Sequence, residues 1–259
     1  GTSTLSGAQI PVGTTSVTWT VTDVHGLTGY CSQTINVTDD QVPVWSTVTG
    51  ALDVTLQCSD GAGLATAQLQ APVATDNCDV TLTPVKIAGS FVPGTCPESG
   101  TFTNTWTVTD DSGNISSVYT QTITIIDTQA PTWTTAAGAL DVTLQCSDAA
   151  GLTTAQSQAP VATDNCDATL TPVKTAGSFV AGACPEEGTY TNTWTVTDCA
   201  GNVSAVYTQV ITIEDTQAPT WTTAAGALNV TLQCSDAAGL ATAQSQAPVA
   251  TDNCDGTLT

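Results

Sequence analysis

The chain repeats itself, and that limits its fold more than any single residue does. The segment Ala51-Leu-Asp-Val-Thr-Leu-Gln-Cys-Ser-Asp60 recurs unchanged at 139–148 and, with Asn229 in place of an aspartate, at 227–236. Cys58, Cys146 and Cys234 keep one spacing of 88 residues, as do Cys78, Cys166 and Cys254, and Trp45, Trp133 and Trp221. A period of this size corresponds to one small domain per repeat, strung as an array. Three proline-ended segments punctuate it: Asp39-Asp-Gln-Val-Pro43, Asp127-Thr-Gln-Ala-Pro131 and Asp215-Thr-Gln-Ala-Pro219. Each follows a strand-like run and suits a short, stiff linker. The expected division is two whole repeats, 41–128 and 129–216, flanked by a late half repeat, 1–40, and an early one, 217–259. The halves are expected to be the flanks of a longer array. The alternative is that one chain's tail completes another chain's head.

Within a repeat the pattern is β. Over 101–110, Phe102, Trp106 and Val108 share one face while threonines take the other, the period of a half-buried strand. Val54, Leu56 and Cys58 alternate in the same way, which points Cys58 into the core. Residues 118–126 read as the last strand before the linker. Asp110-Asp-Ser-Gly-Asn114 reads as the turn before it, rich in residues that favour turns. Only 63–70, rich in Ala, Leu and Gln, has a helical bias. Seven or so short strands per repeat give an all-β chain, a tandem array of immunoglobulin-like antiparallel β-sandwich domains.

Charge removes several functions. Against 23 acidic residues stand two lysines, Lys86 and Lys174, for a formal charge of −21. Phosphate recognition needs Lys and Arg, so nucleic acid is not the partner. Docking on an anionic membrane surface is disfavoured for the same reason, and no apolar run approaches the roughly 18 residues of a membrane span. Hydrophobic residues make up 41% of the chain, enough to build a core despite the charge. The ten cysteines never come closer in sequence than the 15 residues from Cys184 to Cys199, so there is no C-x-x-C metal pair. They read as disulfides in an oxidising, extracellular compartment.

The run Ile10-Pro-Val-Gly-Thr-Thr-Ser-Val-Thr-Trp-Thr-Val-Thr-Asp23, with Pro72-Val-Ala-Thr-Asp-Asn77 and Thr107-Val-Thr-Asp-Asp-Ser-Gly-Asn114, resembles the hyalin-repeat (HYR) domain. Its Cys-rich form is similar to repeats of giant Bacteroidota cell-surface proteins, among them gliding-motility adhesins secreted by the type IX system. The resemblance covers the whole chain. It implies an extracellular immunoglobulin-like stalk or adhesin repeat. The cysteine pattern departs from the fuller family pattern: Asp111 stands where the next repeat has Cys199, and Tyr119 and Tyr207 stand where the first has Cys31.

Cys78 with Cys96, and Cys166 with Cys184, recur as pairs enclosing short loops and are expected to bond within their domains. Cys146, on an early core strand, is expected to bridge the sheets to Cys199. Cys58 is then left as a buried thiol, or bonded to Cys31 across the linker. Partners for Cys234 and Cys254 are open.

The acids gather where repeats should meet. Asp39 and Asp40 are expected near Asp110, Asp111 and Asn114, and Asp127 near Asp198 and Asn202, with the loops bearing Asp76 and Asp164 joining them. Such groups suit calcium, a hard cation taking six to eight oxygens. The competing reading is that Asp and Asn merely form turns. An enzyme is not expected. His25 is the only imidazole, in the variable turn 23–26, and Glu98, Glu186, Glu187 and Glu214 form no distinctive pair. Strand tryptophans read as core rather than as sugar platforms.

Two functions remain. One is the shaft of a long extracellular surface adhesin or filament, with further repeats of the same chain, like chains, and an external surface or glycan as partners. The other is a multivalent array whose repeats each bind glycan or polymer weakly.

Overall fold

The computed structural model describes residues 4–258 and divides into two compact units, Gly1–Asp127 and Thr128–Thr259. The first unit opens with an antiparallel hairpin of β1 (Gly13–Thr22) and β2 (Thr28–Val37). There follow β3 (Val44–Trp45), β4 (Val54–Gln57), α1 (Gly61–Leu69), β5 (Ala74–Thr75), β6 (Val85–Ile87), β7 (Val92–Pro93), β8 (Gly100–Thr107) and β9 (Tyr119–Ile126). The last six strands, less β5, and β4 build one five-stranded sheet in the order β4-β9-β8-β6, with β7 also on β8; β3 and β5 form the second sheet. β4 runs parallel to β9, with Val54 opposite Ile123 and Gln57 opposite Ile126. The other pairings are antiparallel.

Alternation fills the core as the sequence pattern predicts. Tyr119, Gln121, Ile123 and Ile125 are buried on β9 and face Trp106 and Val108. Ile123, Ile125 and Ala67 of α1 pack with Val54, Leu56, Cys58, Leu64, Phe91 and Phe102. The helix starts where Asp60 accepts a hydrogen bond from the Gly63 N–H at 2.8 Å. A side chain at Gly63 would run into that carboxylate. Lys86 does not meet an acid: its Nζ donates to the Gln68 carbonyl at 2.6 Å and lies 5.2 Å from the Trp106 ring centre. Desolvation holds its pKa below the usual lysine value.

The second unit repeats this plan in β10 (Thr132–Trp133), β11 (Val142–Gln145), α2 (Ala149–Ser157), β12 (Ala162–Thr163), β13 (Val173–Thr175), β14 (Val180–Ala181), β15 (Gly188–Thr195) and β16 (Tyr207–Glu214). Beyond it lie β17 (Thr220–Trp221), α3 (Ala237–Ser245) and β18 (Ala250–Thr251). Residues 230–233 carry the Val-Thr-Leu-Gln of β4 and β11 but form no strand.

The parallel strand decides the cysteine chemistry, and it corrects the expected pairs. Running beside β9 or β16, it delivers its cysteine to the trailing end of the repeat, where the chain leaves: the Cys146 N–H donates to Glu214 O at 3.0 Å. Cys199 lies beyond Thr195, at the leading end, where β15 meets Tyr207. β16 runs from Tyr207 to Glu214, roughly 23 Å at the usual strand rise, far beyond a disulfide's reach. Cys146 instead bonds Cys254, with Cα atoms 5.8 Å apart. Cys78 and Cys96 are likewise at opposite ends and do not pair. Cys78 is an exposed free thiol beside the leading turn, whereas Cys96 is buried near the trailing end and is disulfide-bonded. Cys184 is also free and exposed, while Cys166 and Cys199 are bonded. Cys58 is disulfide-bonded rather than a buried thiol, and Cys31 is free and exposed.

Candidate functional site

Four carboxylates of the first unit, Asp39, Asp76, Asp79 and Asp110, place oxygens within 4.8 Å of one another. Three different pieces of chain supply them. Asp39 comes two residues past the end of β2. Asp76 follows β5 and caps its own loop, accepting from the N–H groups of Cys78 at 2.9 Å and Asp79 at 3.2 Å. Asp110 opens the turn before β9, where Gly113 adopts a φ of +94° that a residue with a Cβ resists. Its carboxylate accepts from the Asn114 N–H at 2.7 Å and the Asn114 side chain at 2.8 Å. That amide also donates to Asp39 O at 3.3 Å, and the Asp111 N–H donates to Asp79 Oδ2 at 2.9 Å. The turn, the loop and the incoming segment are thus tied together around the acids.

Burial alone would push the Asp110 carboxyl up, but the Asn114 side-chain and backbone donors, with those of Gly113 and Ser112, hold it below the ordinary carboxylate value. Asp39 Oδ2 is buried and has no hydrogen-bond partner. An unpaired, desolvated carboxylate oxygen facing three more acids fits a hard cation. Asp39, Asp76, Asp79 and Asp110 are the residues that would hold one.

The same aspartates recur in the second unit. Asp164, Asp167 and Asp198 lie together; Asp198 accepts from Asn202 at 2.7 and 2.8 Å, and Asp167 Oδ2 from the Cys199 N–H at 2.8 Å. Further on, Asp252 is held below its usual value by the N–H groups of Cys254 and Asp255. Asp255 is pushed up by desolvation and by the charges of Glu186, Asp252, Asp215 and Glu187. Asp252 Oδ2, like Asp164 Oδ2, is buried without a hydrogen-bond partner. Gln145 Nε2 donates to Asp215 Oδ1 at 2.8 Å, Asn253 donates to Ser147 Oγ at 3.0 Å, and Asp215 lies with the sulfurs of Cys146 and Cys254 within 4.8 Å.

Of the residues singled out in the sequence, Asp39, Asp76 and Asp110 converge. Asp40 is exposed outside the cluster. Asp111 contributes its backbone, Asn114 acts as a tie, and Asp127 closes the first unit after β9. Asp79 was overlooked as a ligand, although it ends a repeated Asp-Asn-Cys-Asp loop. His25 is exposed, its N–H bonded to Asp23 Oδ1 at 2.8 Å. Trp106 and Trp194 are 1% and 2% exposed, and Trp45 and Trp133 donate to Ser117 O and Ala205 O. These tryptophans are structural.

The family model described as an HYR-like domain with 4 cysteines matches residues 47–125 and again 134–213. The chain belongs to this family. The two matched HYR-like repeats contain the helices α1 and α2 and the β4–β9 and β11–β16 parallel pairs. Among solved structures, the chain is similar to Drosophila N-cadherin EC1-4, with 12% identity over 83% of this chain and 62% of that one at a TM-score of 0.24. It is also similar to extracellular domains 3–6 of protocadherin gamma B2, with 12% identity over 80% and 59% at a TM-score of 0.29. The chain therefore spans less than two thirds of the length of either. No curated protein matches it. Among the described residues no helix is long and apolar enough to cross a membrane.

Proposed function

We propose that these HYR-like repeats are a structural spacer outside the cell, the shaft of a long surface adhesin or filament of the bacterial kind that the sequence resembles. Further repeats of the same chain are its immediate partners, and a binding tip elsewhere in the protein meets the external surface or glycan. Calcium at the carboxylate clusters stiffens the joints, and no catalysis is assigned. The observation that carries this reading is the cluster of Asp39, Asp76, Asp79 and Asp110. It draws the segment following the hairpin onto a loop and a turn of the next repeat. A cation there neutralises acids that otherwise repel, and so fixes the segment. The disulfides support an oxidising location. Buried strand tryptophans count against a sugar-stacking array.

The test is thermal melting and small-angle scattering of the chain in calcium and in EDTA. A higher Tm and a greater maximum dimension in calcium are expected, both reduced by Asp79→Asn. Identical melting and scattering curves in the two conditions would refute the stiffening role.

A further inference from the structure

The hairpin strand β2 has β1 on one edge and, among the described residues, nothing on the other. In each whole repeat the corresponding edge is filled by the parallel Val-Thr-Leu-Gln strand, β4 on β9 and β11 on β16. Residues 230–233 carry that same sequence and form no strand, with Val230 55% exposed. One chain thus holds both an unfilled edge and an unplaced strand of the kind that fills it.

We propose that the strand 230–233 of a second copy of this chain adds in parallel to β2, and that Cys234 of that copy then bonds Cys78. The register follows from the repeats. Val142 pairs with Ile211 and Gln145 with Glu214, so Val230 meets Ile35, Leu232 meets Val37 and Gln233 meets Thr38. The buried amides of Gln121 and Gln209 donate to Leu52 O and Leu140 O at 2.8 Å, and to the helix carbonyls of Ala67 and Ala155 at 3.2 Å. Gln33 stands at their position on β2, exposed, and the incoming copy offers Leu228 O and Ala243 O. Ile35 gains the cover that leaves Ile123 and Ile211 fully buried.

The sulfurs supply an independent observation. Cys146, Asp215 and Cys254 form one group, and Asp39, Asp76 and Cys78 form another. Asp39 and Cys78 occupy the places of Asp215 and Cys254, so the first-unit group lacks only the counterpart of Cys146. Cys234 is that counterpart, and both it and Cys78 are free, exposed thiols. Bond formation needs a disulfide oxidant such as glutathione disulfide. One thiolate attacks it, the second thiolate displaces glutathione from the mixed disulfide, and two glutathione thiols leave with the two electrons and two protons. Because strand and socket lie on different parts of the surface, the contact is heterologous and adds copies head to tail.

The experiment is a concentration series of the whole chain in a glutathione redox buffer, read by light scattering, non-reducing electrophoresis and mass spectrometry of cross-linked peptides. A ladder of multimers joined by a Cys78–Cys234 peptide is expected, lost in Cys78→Ser or Cys234→Ser and kept in Cys31→Ser and Cys184→Ser. Val230→Pro, which cannot donate to the ladder, is expected to abolish it without altering the melting of the first unit. A chain that stays monomeric at all concentrations, a Cys78–Cys234 link at monomer mass, or indiscriminate cross-links through Cys31 and Cys184 would each overturn the proposal.

Discussion

Replacing Gln121 with leucine isolates what holds the layers of a repeat together. Gln121 is fully buried in the middle of β9. Its Nε2 donates to Leu52 O at 2.8 Å and to Ala67 O at 3.2 Å, and its Oε1 accepts from Asn104 Nδ2 at 2.9 Å. One amide therefore ties the chain before β4, the helix α1 and the neighbouring strand β8. Leucine has similar bulk and none of these bonds. Ala67 O keeps its bond from the Gln70 N–H, and Asn104 Nδ2 keeps Gln68 Oε1. What remains unpaired is the Leu52 carbonyl and one amide hydrogen of Asn104. Each buried orphan costs about 1–3 kcal/mol, against about 1 kcal/mol regained from apolar burial. The net loss is then about 3 kcal/mol, or roughly 15 °C in the transition of a domain this size. Calorimetry of the whole chain, with hydrogen exchange read on β8 and β9 to assign the transition, measures it. The control is Thr120→Leu, at the exposed neighbouring position on β9, where a change within about 0.5 kcal/mol is expected. If Gln121→Leu melts with the wild type, the polar cluster is dispensable and the apolar contacts alone set the packing.

Three further outcomes are expected. Cys146→Ser with Cys254→Ser opens a link spanning 108 residues and is expected to remove about 4–5 kcal/mol by the chain-entropy account, seen as lost hydrogen-exchange protection in β17, α3 and β18. The Cys78 thiol is pushed up by desolvation and then by the charges of Asp39 and Asp76, so a cation on the cluster lowers it. Alkylation at neutral pH is therefore expected to run faster in calcium than in EDTA, and equal rates would place the cation elsewhere. Asp110, held below its usual pKa, contributes stability that is fully present above the unfolded value of about 4 and lost as pH falls through its lower folded value. An acid titration of Asp110→Asn should be flatter than that of the wild type in that window.

What sequence could and could not reveal follows from the kind of information a repeat carries. Period two placed Trp106 and Val108 on the buried face correctly, because side-chain direction along a strand is a local property. Asn104 has the same parity and is fully buried, yet its polarity hides it. Only the partners on β9 and α1 make its burial tolerable, and they are 17 and 36 residues away. The acids were legible as a group because turns and linkers are local too, but Asp79 joins them through a loop whose direction the spacing does not give. The cysteine pairs failed for a sharper reason. Pairing within a repeat assumes that sequence neighbours share an end of the sandwich, and the parallel strand β11 breaks that assumption by carrying Cys146 to the trailing end. Its bond spans 108 residues, which is one repeat of 88 plus the 20 from Cys58 to Cys78. A link commensurate with the period in this way reaches forward by one repeat, so the same pair of positions can be used again wherever a Gln-Cys-Ser strand meets an Asp-Asn-Cys-Asp loop. The covalent pattern thus belongs to the joint rather than to the domain, and a reading confined to single repeats assigns it wrongly however well it assigns the strands.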